Sequence, residues 1–222
     1  GAASLALAVI GAAAILLGGH VFGSGEADAI LKNEMAFSKA RAEVVGVALA
    51  EGCPGGKALI LVSTENEARK DSPTIKGLSS GFGSAISIDG IEAIGETLPS
   101  PDGQGPGITT PTAAKFDSAL ARHPNASIIV ATGLPMDAKN MAFWRIPANA
   151  RPALVLLSGE AHMLKSLIAG NFVAAAVVVR PDLQSLDEKA DKDPQKAFAS
   201  RYLLITPENI ARIADENPGL FN

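Results

Sequence analysis

The sequence predicts an α/β protein: a doubly wound, mainly parallel five-stranded sheet, preceded by an N-terminal hydrophobic helix and an amphipathic helix. From Lys57 onward, short apolar runs alternate with helical stretches, the pattern of strands joined by crossover helices. The runs are continuously apolar rather than alternating, which is typical of strands buried on both faces. Before Lys57 the chain has one apolar run and one helical repeat, which we expect to be two helices.

The composition indicates a core of aliphatic side chains and argues against a nucleic-acid partner. The 222 residues are 47% hydrophobic but only 5% aromatic. The 19 Lys and Arg are outnumbered by 23 Asp and Glu, so the basic face of a nucleic-acid binder is not expected. The chain has 1 Cys, which excludes a disulfide framework and a cysteine zinc site.

Residues 1–25 carry no Asp, Glu, Lys or Arg and are mostly aliphatic. A membrane-spanning helix needs about 20 apolar residues and a signal-peptide core about 7 to 15, and this run lies near the border. Small residues recur along it: Ala3, Gly11, Ala14 and Gly18. They would let another helix approach closely within a membrane. We expect a retained membrane anchor; the alternative is a signal peptide cleaved before Glu26.

Residues 26–52 are predicted to form an amphipathic helix. Apolar residues recur at helical spacing. They lie on or near one stripe: Ile30, Phe37, Ala40, Val44, Val47 and Ala48. Gly52 and Pro54 then end the helix.

Residues 57–222 are predicted to form the α/β domain. The predicted sheet strands are 57–62, 90–96, 127–132, 153–158 and 172–179. Three helices are expected where a capping hydroxyl precedes a proline at the first helical position. These pairs are Ser72–Pro73, Thr110–Pro111 and Thr206–Pro207. Shorter helices are expected near 137–143 and after Ser158, a short strand before Thr206, and a polar loop over 180–195.

Polar residues at the strand ends form the candidate binding site. In a doubly wound sheet, ligands bind at the carboxyl ends of the strands. The residues expected there are Ser63, Thr64, Glu65, Asn66, Thr132, Ser158, Glu160, Arg180 and Asp182. Their side chains are suited to hydrogen-bonding a small polyol or acid. The alternative is that these are ordinary polar connections, which every α/β domain has.

The sequence gives no sign of a cofactor or of catalysis. No glycine-rich phosphate loop follows the first strand, and the glycines of 77–83 fall within a predicted helix, where they would permit close packing. His20, His123 and His162 have no second metal ligand at a useful spacing, and His123 is expected to face solvent. Ser158 lacks the G-x-S-x-G pattern of a nucleophile elbow. We therefore expect no metal, no cofactor and no enzyme.

The stretch from KALILV to HPNASIIVATG resembles one lobe of the type I periplasmic binding proteins, the sugar-binding and LacI-like group. The shared features are an apolar strand with a ligand-side loop, a glycine-bearing helix, a second strand, a Thr-started helix and a third strand. The residues that carry them include Gly81, Phe82, Ile91, Ile94 and Thr110. The likeness covers roughly residues 57–180. It implies the architecture of that family, whose receptors close two such lobes around a ligand.

These observations lead to a preferred hypothesis and its alternatives. We expect a non-catalytic, membrane-anchored extracytoplasmic domain, in the periplasm or at the cell surface, that binds a protein partner or is a subunit of a larger assembly. A pilin-like filament subunit has the same layout, although Leu5 stands where pilins have Glu. The alternative is a periplasmic binding protein for a sugar-like solute, with residues 1–25 as signal peptide. An unrecognised hydrolase would need a nucleophile–base pair at the strand ends.

Overall fold

The computed structural model describes residues 24–98, 108–183 and 188–221. In chain order, the elements are α1 (Ser24–Gly52), β1 (Lys57–Val62), α2 (Pro73–Phe82), β2 (Ser87–Ala93), β3 (Gly95–Leu98), β4 (Ile108–Pro111), α3 (Ala113–Arg122), β5 (Ile128–Ala131), two 3-10 turns (Ala138–Asn140 and Ala142–Arg145), β6 (Ala153–Leu156), α4 (Ala161–Ala169), β7 (Ala175–Val179), α5 (Pro194–Arg201), β8 (Tyr202–Ile205) and α6 (Ile210–Glu216). Of the predicted hydrophobic helix, residues 1–23 lie outside the described residues. None of the helices within the described ranges is both long and apolar enough to cross a membrane.

The sheet confirms the predicted fold class. Its strand order is β2-β1-β5-β6-β7-β8, and all neighbours are parallel except β7 and β8. The sheet has six strands rather than five, because the short strand predicted before Thr206 pairs with the edge of β7. Helices cover both faces, so the strands are buried from two sides.

The predicted strand 90–96 is divided between two sheets. Its first part belongs to β2, whereas β3 pairs with β4 in a separate two-stranded antiparallel ribbon. Ile94 lies between the two parts. Its N–H donates to the Val62 carbonyl at 2.9 Å, and its carbonyl accepts from the Thr112 N–H at 3.2 Å. These bonds direct the chain out of the main sheet at this residue.

Side chains of β1 alternate between two hydrophobic cores, one on each face of the sheet. Ala58, Ile60 and Val62 pack with α1, α2 and α5 on the first face. Leu59 and Leu61 pack with α3, α4 and α6 on the second face. All five side chains are 0% exposed. The continuous apolar run is therefore explained by the alternation of a strand that is buried on both sides.

Glycines bring α1 and α2 into direct backbone contact. A side chain on Gly77 would collide with the Lys39 carbonyl, and one on Gly81 with the Glu43 carbonyl. From the opposite helix, a Cβ on Gly46 would lie 3.0 Å from the Gly81 Cα. The expectation that the glycines of 77–83 permit close packing is thus confirmed for Gly77 and Gly81.

A buried ion pair fixes the other side of α1. The Arg201 side chain, 3% exposed, donates from Nη1 to both carboxylate oxygens of Glu34, at 2.7 and 2.9 Å. Its guanidinium carbon lies 3.5 Å from the centroid of the Phe37 ring. Removing Glu34 would take one ion-pair partner from a guanidinium that is almost fully buried, whereas the Glu34 side chain itself is 35% exposed. This contact links α1 to α5.

The apolar stripe of α1 is wider than predicted. Phe37, Ala40 and Val44 are buried as expected, but Ala48 is exposed. Val45, outside the predicted stripe, is 0% exposed. The reason is that α1 is covered from two directions, by α2 and by α5 with the sheet beneath, so its buried face exceeds one narrow stripe.

The predicted helix starts have mixed outcomes. Ser72 caps α2 as expected, accepting from the Ile75 N–H at 3.3 Å. Thr110 does not cap α3, because 108–111 pair as β4, and the cap is Thr112. Thr206 does not cap α6 either. The Asn209 side chain accepts from the Thr206 N–H at 2.8 Å and closes a turn that delays the helix.

Helix α5 was not predicted. Its first two residues fall within the polar segment 180–195, which was expected to be a loop and of which the structure describes 180–183 and 188–195. Asp193 caps the helix by accepting from the Gln195 N–H at 2.9 Å, and Pro194 occupies its first turn. The capping pair was therefore present in the sequence, but the polar residues around it obscured the signal.

We predict that Gly81→Ala lowers the free energy of unfolding by about 1–3 kcal/mol, the usual cost of overpacking. The added methyl group has no room against the backbone of α1. The matched control is Gly52→Ala in the last position of α1, where a Cβ meets nothing within 4 Å. Urea unfolding of both variants checks this, and equal stability of Gly81→Ala and wild type would contradict the backbone contact.

Candidate functional site

The candidate site lies where the winding of the sheet reverses. Helix α2, which follows β1, covers the first face, whereas the segment that follows β5 places Met141 and Phe143 in the core of the second face. Strands β1 and β5 are neighbours, so the chain leaves them toward opposite faces. Such a reversal opens a crevice at the carboxyl ends of the two strands, where doubly wound proteins bind ligands.

Two of the predicted residues meet at this crevice. Ser63 follows β1 and Thr132 follows β5, and their hydroxyl oxygens lie 3.4 Å apart, within hydrogen-bonding distance. Both residues are half-buried. A hydroxyl offers one donor and two acceptor positions, and this contact uses only part of that capacity. The pair therefore keeps hydrogen-bonding capacity for a ligand with hydroxyl groups.

The loop after β1 is closed by its own hydrogen bonds. The Ser63 N–H donates to the Glu67 carboxylate at 3.1 Å, and the Glu67 N–H donates to the Thr64 hydroxyl at 3.3 Å. This reciprocal arrangement resembles a capping box, whose sequence signature is S/T-x-x-E. Glu67 was not among the predicted site residues, but the motif T-E-N-E at 64–67 contains its signal. Glu65 and Asn66, at the turn of this loop, are exposed.

The β3–β4 ribbon borders the crevice. Gly95, its first residue, lies so close to the Ser63 carbonyl that a side chain there would collide with it. The Lys115 ammonium donates to the Gly95 carbonyl at 2.6 Å and holds the ribbon against α3. On the ribbon itself, the hydroxyls of Thr97 and Thr109 lie 3.0 Å apart. Nothing in the sequence near Gly95 indicated this contact, because it joins residues distant in the chain.

The Asp137 side chain makes a structural contact at the beginning of α3. Its carboxylate accepts from the Ala113 N–H at 2.8 Å, at the first residue of α3. The negative charge thus satisfies a free N–H at the positive end of that helix. One oxygen of this carboxylate is therefore engaged at the start of α3.

The remaining predicted residues lie further along the same edge. Arg180 and Asp182 follow β7, which β5 and β6 separate from β1, so they lie roughly 14 Å from Ser63 at the usual strand spacing. They pair with each other through two hydrogen bonds of 3.0 and 2.9 Å. Ser158 and Glu160 follow β6 between these positions. The structure thus brings together Ser63 and Thr132, but not all nine predicted residues.

His123 was expected to face solvent, but the structure shows it largely buried. Its side chain is 19% exposed and lies between two carboxylates: Nδ1 is 3.0 Å from Asp89 and Nε2 is 3.1 Å from Glu92. Gly90 makes room for the ring, since a side chain there would collide with it. The two carboxylates lie on opposite ring nitrogens, so they cannot share one metal ion with His123. Across the described residues, no group of three or more His, Cys, Asp or Glu could hold a metal.

The strand ends that the structure describes form no nucleophile–base pair. Within the described ranges, the Ser63 and Thr132 hydroxyls bond each other, and no His or Lys hydrogen-bonds Ser63, Thr132 or Ser158. These three residues therefore do not supply the nucleophile–base pair that a hydrolase would need.

The strand order and the reversal of winding define a doubly wound α/β fold. Solved structures sharing this fold include the XylFII–LytSN complex, 12% identical, covering 77% of this chain and 60% of that one with a TM-score of 0.51. A carbohydrate-transporter solute-binding protein from Agrobacterium radiobacter, solved with D-arabinose, is 14% identical. The alignment covers 84% of this chain and 63% of that protein, also with a TM-score of 0.51. The chain therefore has a periplasmic-binding-protein-like fold.

This similarity is one of fold. The chain spans less than two thirds of the length of either structure. No protein-family model and no curated protein sequence matches it.

We predict that Glu92→Gln destabilises the protein at neutral pH and that the loss shrinks in acid. Hydrogen bonds from Arg122, and to a lesser extent His123, hold the pKa of the Glu92 carboxyl below its usual value of 4.5. A depressed pKa in the folded state contributes stability above the unfolded-state pKa, and this stability is lost as the pH falls through the folded-state value. Urea unfolding between pH 7 and the acid range measures this difference.

The matched control is Glu96→Gln, an exposed residue of β3, which should change stability little at any pH. If Glu92→Gln costs the same at acid and neutral pH, the carboxylate charge is not what stabilises this contact.

Proposed function

We propose that this chain is a non-catalytic, extracytoplasmic solute-binding lobe whose crevice between β1 and β5 binds a neutral polyol or sugar-like solute. The observation that carries the proposal is the pair of half-buried hydroxyls, Ser63 and Thr132, at the reversal point of the sheet. The carbohydrate-transporter protein of the same fold, solved with D-arabinose, supports this choice over the assembly subunit preferred from the sequence. The location outside the cytoplasm rests on the same likeness.

The charges around the crevice favour a neutral solute over an acid. Glu67 and Asp137 are close to the strand ends, and each already accepts a backbone N–H. Lys115 donates to a backbone carbonyl, and Arg180 is paired with Asp182. Lys115 and Arg180 are thus already engaged and do not offer a free counter-charge to an anionic solute, whereas hydroxyl groups would find both donors and acceptors in Ser63 and Thr132.

A protein-binding or self-assembling surface at the same edge is the second candidate. Met136, in the loop after β5, is 86% exposed, and Met163, in the first turn of α4, is 62% exposed. Exposed methionines are frequent at adaptable binding surfaces. A second molecule covering these loops would also close the crevice. The membrane anchor of residues 1–25 and the pilin-like layout stay predictions from the sequence.

We predict that a suitable neutral monosaccharide stabilises the chain against unfolding by about 2.7 kcal/mol at a hundredfold excess over its dissociation constant. Thr132→Val and Ser63→Ala should each weaken this binding about fivefold, since each removes one hydrogen bond worth about 1 kcal/mol. Thermal unfolding of wild type and variants with a panel of pentoses, hexoses and polyols measures both the stabilisation and its loss. Ser79→Ala, on the exposed side of α2, is the control. Absence of stabilisation across the panel would contradict solute binding.

For the second candidate, we predict that Met136→Gln combined with Met163→Gln weakens self-association measured by sedimentation equilibrium. The reason is the loss of apolar area from the carboxyl edge. Met35→Gln is the matched control, because Met35 is 45% exposed but lies on α1. A monomeric wild-type chain at all concentrations, or an equal effect of the control, would exclude self-assembly at this edge.

A further inference from the structure

A second cleft lies at the opposite edge of the sheet from Ser63 and Thr132. It forms where β6 and β7 begin and has a volume of about 290 Å³. Because β8 runs antiparallel to β7, the residues that follow β8 reach this edge too. The cleft is lined by Arg151, Ala153, Asn171, Phe172, Pro207 and Glu208, among others. Its size is near the lower end of the range for small-molecule pockets.

Arg151 is held in a fixed position in this cleft. Its Nε and Nη2 atoms both donate to the Ile146 carbonyl, at 3.2 and 2.8 Å. The guanidinium carbon lies 4.4 Å from the centroid of the Phe172 ring and 5.9 Å from that of Phe143. These contacts restrict the rotamers that a surface arginine would otherwise sample. The cation is therefore oriented before any ligand arrives.

Arg151 forms no ion pair within the described part of the chain. Ion pairs are formed by five other arginines: Arg69, Arg122, Arg180, Arg201 and Arg212. Within the described part of the chain, no Asp or Glu pairs with Arg151, and its Nη1 atom donates to no protein acceptor. A half-buried guanidinium loses part of its hydration, and here no ion pair compensates for that loss. Its planar donors match a carboxylate, which such a group binds through two hydrogen bonds.

The other lining residues restrict the class of ligand. Phe172, Ala153 and Pro207 offer apolar surface for a short tail. Glu208 adds a negative charge to the lining, which repels a doubly charged ion such as sulfate more strongly than an ion with a single charge. A single carboxylate with a small apolar tail satisfies both conditions.

We propose that this cleft binds a small organic monocarboxylate, with the carboxylate on Arg151 and the tail against Phe172 and Pro207. The site is independent of the solute crevice, because it lies at the opposite ends of the strands and shares no residue with it. Either proposal can therefore fail without the other.

The full chain can be titrated with isobutyrate and with valine, which present a similar tail with and without an amino group. Trp144 is the only tryptophan, and its ring centroid lies 6.0 Å from that of Phe172, so its fluorescence reports on the cleft. We expect saturable one-site binding of at least one of the two probes. Calorimetry of the same titration gives the stoichiometry.

Variants then test the role of Arg151. Arg151→Gln should weaken binding at least tenfold, and Arg151→Lys should retain part of it because the charge remains. The matched control, Arg145→Gln, removes an exposed cation that is not among the residues lining the cleft, and should leave the affinity unchanged. If Arg151→Gln fails to fold, amide chemical shifts of Asn171 and Ala174 in the wild-type chain locate the bound probe instead.

Three results would overturn the proposal: no saturable binding of either probe, equal affinity in Arg151→Gln and wild type, or shifts confined to residues outside the cleft. Sulfate provides a fourth, since sulfate binding as tight as that of isobutyrate would show a general anion site rather than a monocarboxylate site.

Discussion

The backbone contact between α1 and α2 is the constraint on which the first face of the sheet depends. Gly77 and Gly81 allow α2 to approach α1 more closely than any side chain would permit. The start of α2 is in turn tied to the crevice, because the Ser72 hydroxyl donates to the Glu67 carbonyl at 2.7 Å. Glu67 accepts the N–H of Ser63. The helix contact therefore determines where the first hydroxyl of the candidate site lies.

Several charged groups of the carboxyl edge are engaged in contacts that the fold itself requires. Asp137 satisfies the beginning of α3, and Glu67 closes the loop after β1. Arg180 and Asp182 neutralise each other. What remains at the reversal of the sheet is the hydroxyl pair, whose interaction with a ligand requires no desolvation of a full charge. This arrangement relates the local capping and pairing of each loop to the kind of solute that the crevice can accept.

Local signals in the sequence sufficed for the strands and for some helix ends, but not for contacts between distant segments. The apolar runs predicted the parallel strands, and Ser72–Pro73 predicted the start of α2. The β3–β4 ribbon was missed because residues 108–111 become a strand only by pairing with Gly95–Leu98. The candidate site shows the same division. The strand ends were predicted, but the strand order that joins Ser63 to Thr132 and separates Arg180 from them is a property of the tertiary fold.

The two edges of the sheet differ in chemistry because the same strands end in different surroundings. Strand β6 begins beside Arg151 and ends shortly before Ser158, and its four residues span about 13 Å at the usual rise of a strand. A small molecule at one edge therefore cannot touch the other. Leu154, Val155 and Leu156 are at most 1% exposed, so the connecting strand is enclosed by both cores. Close packing of this kind leaves little room for a strand to shift. We therefore expect the two sites to bind independently, without allosteric coupling between them.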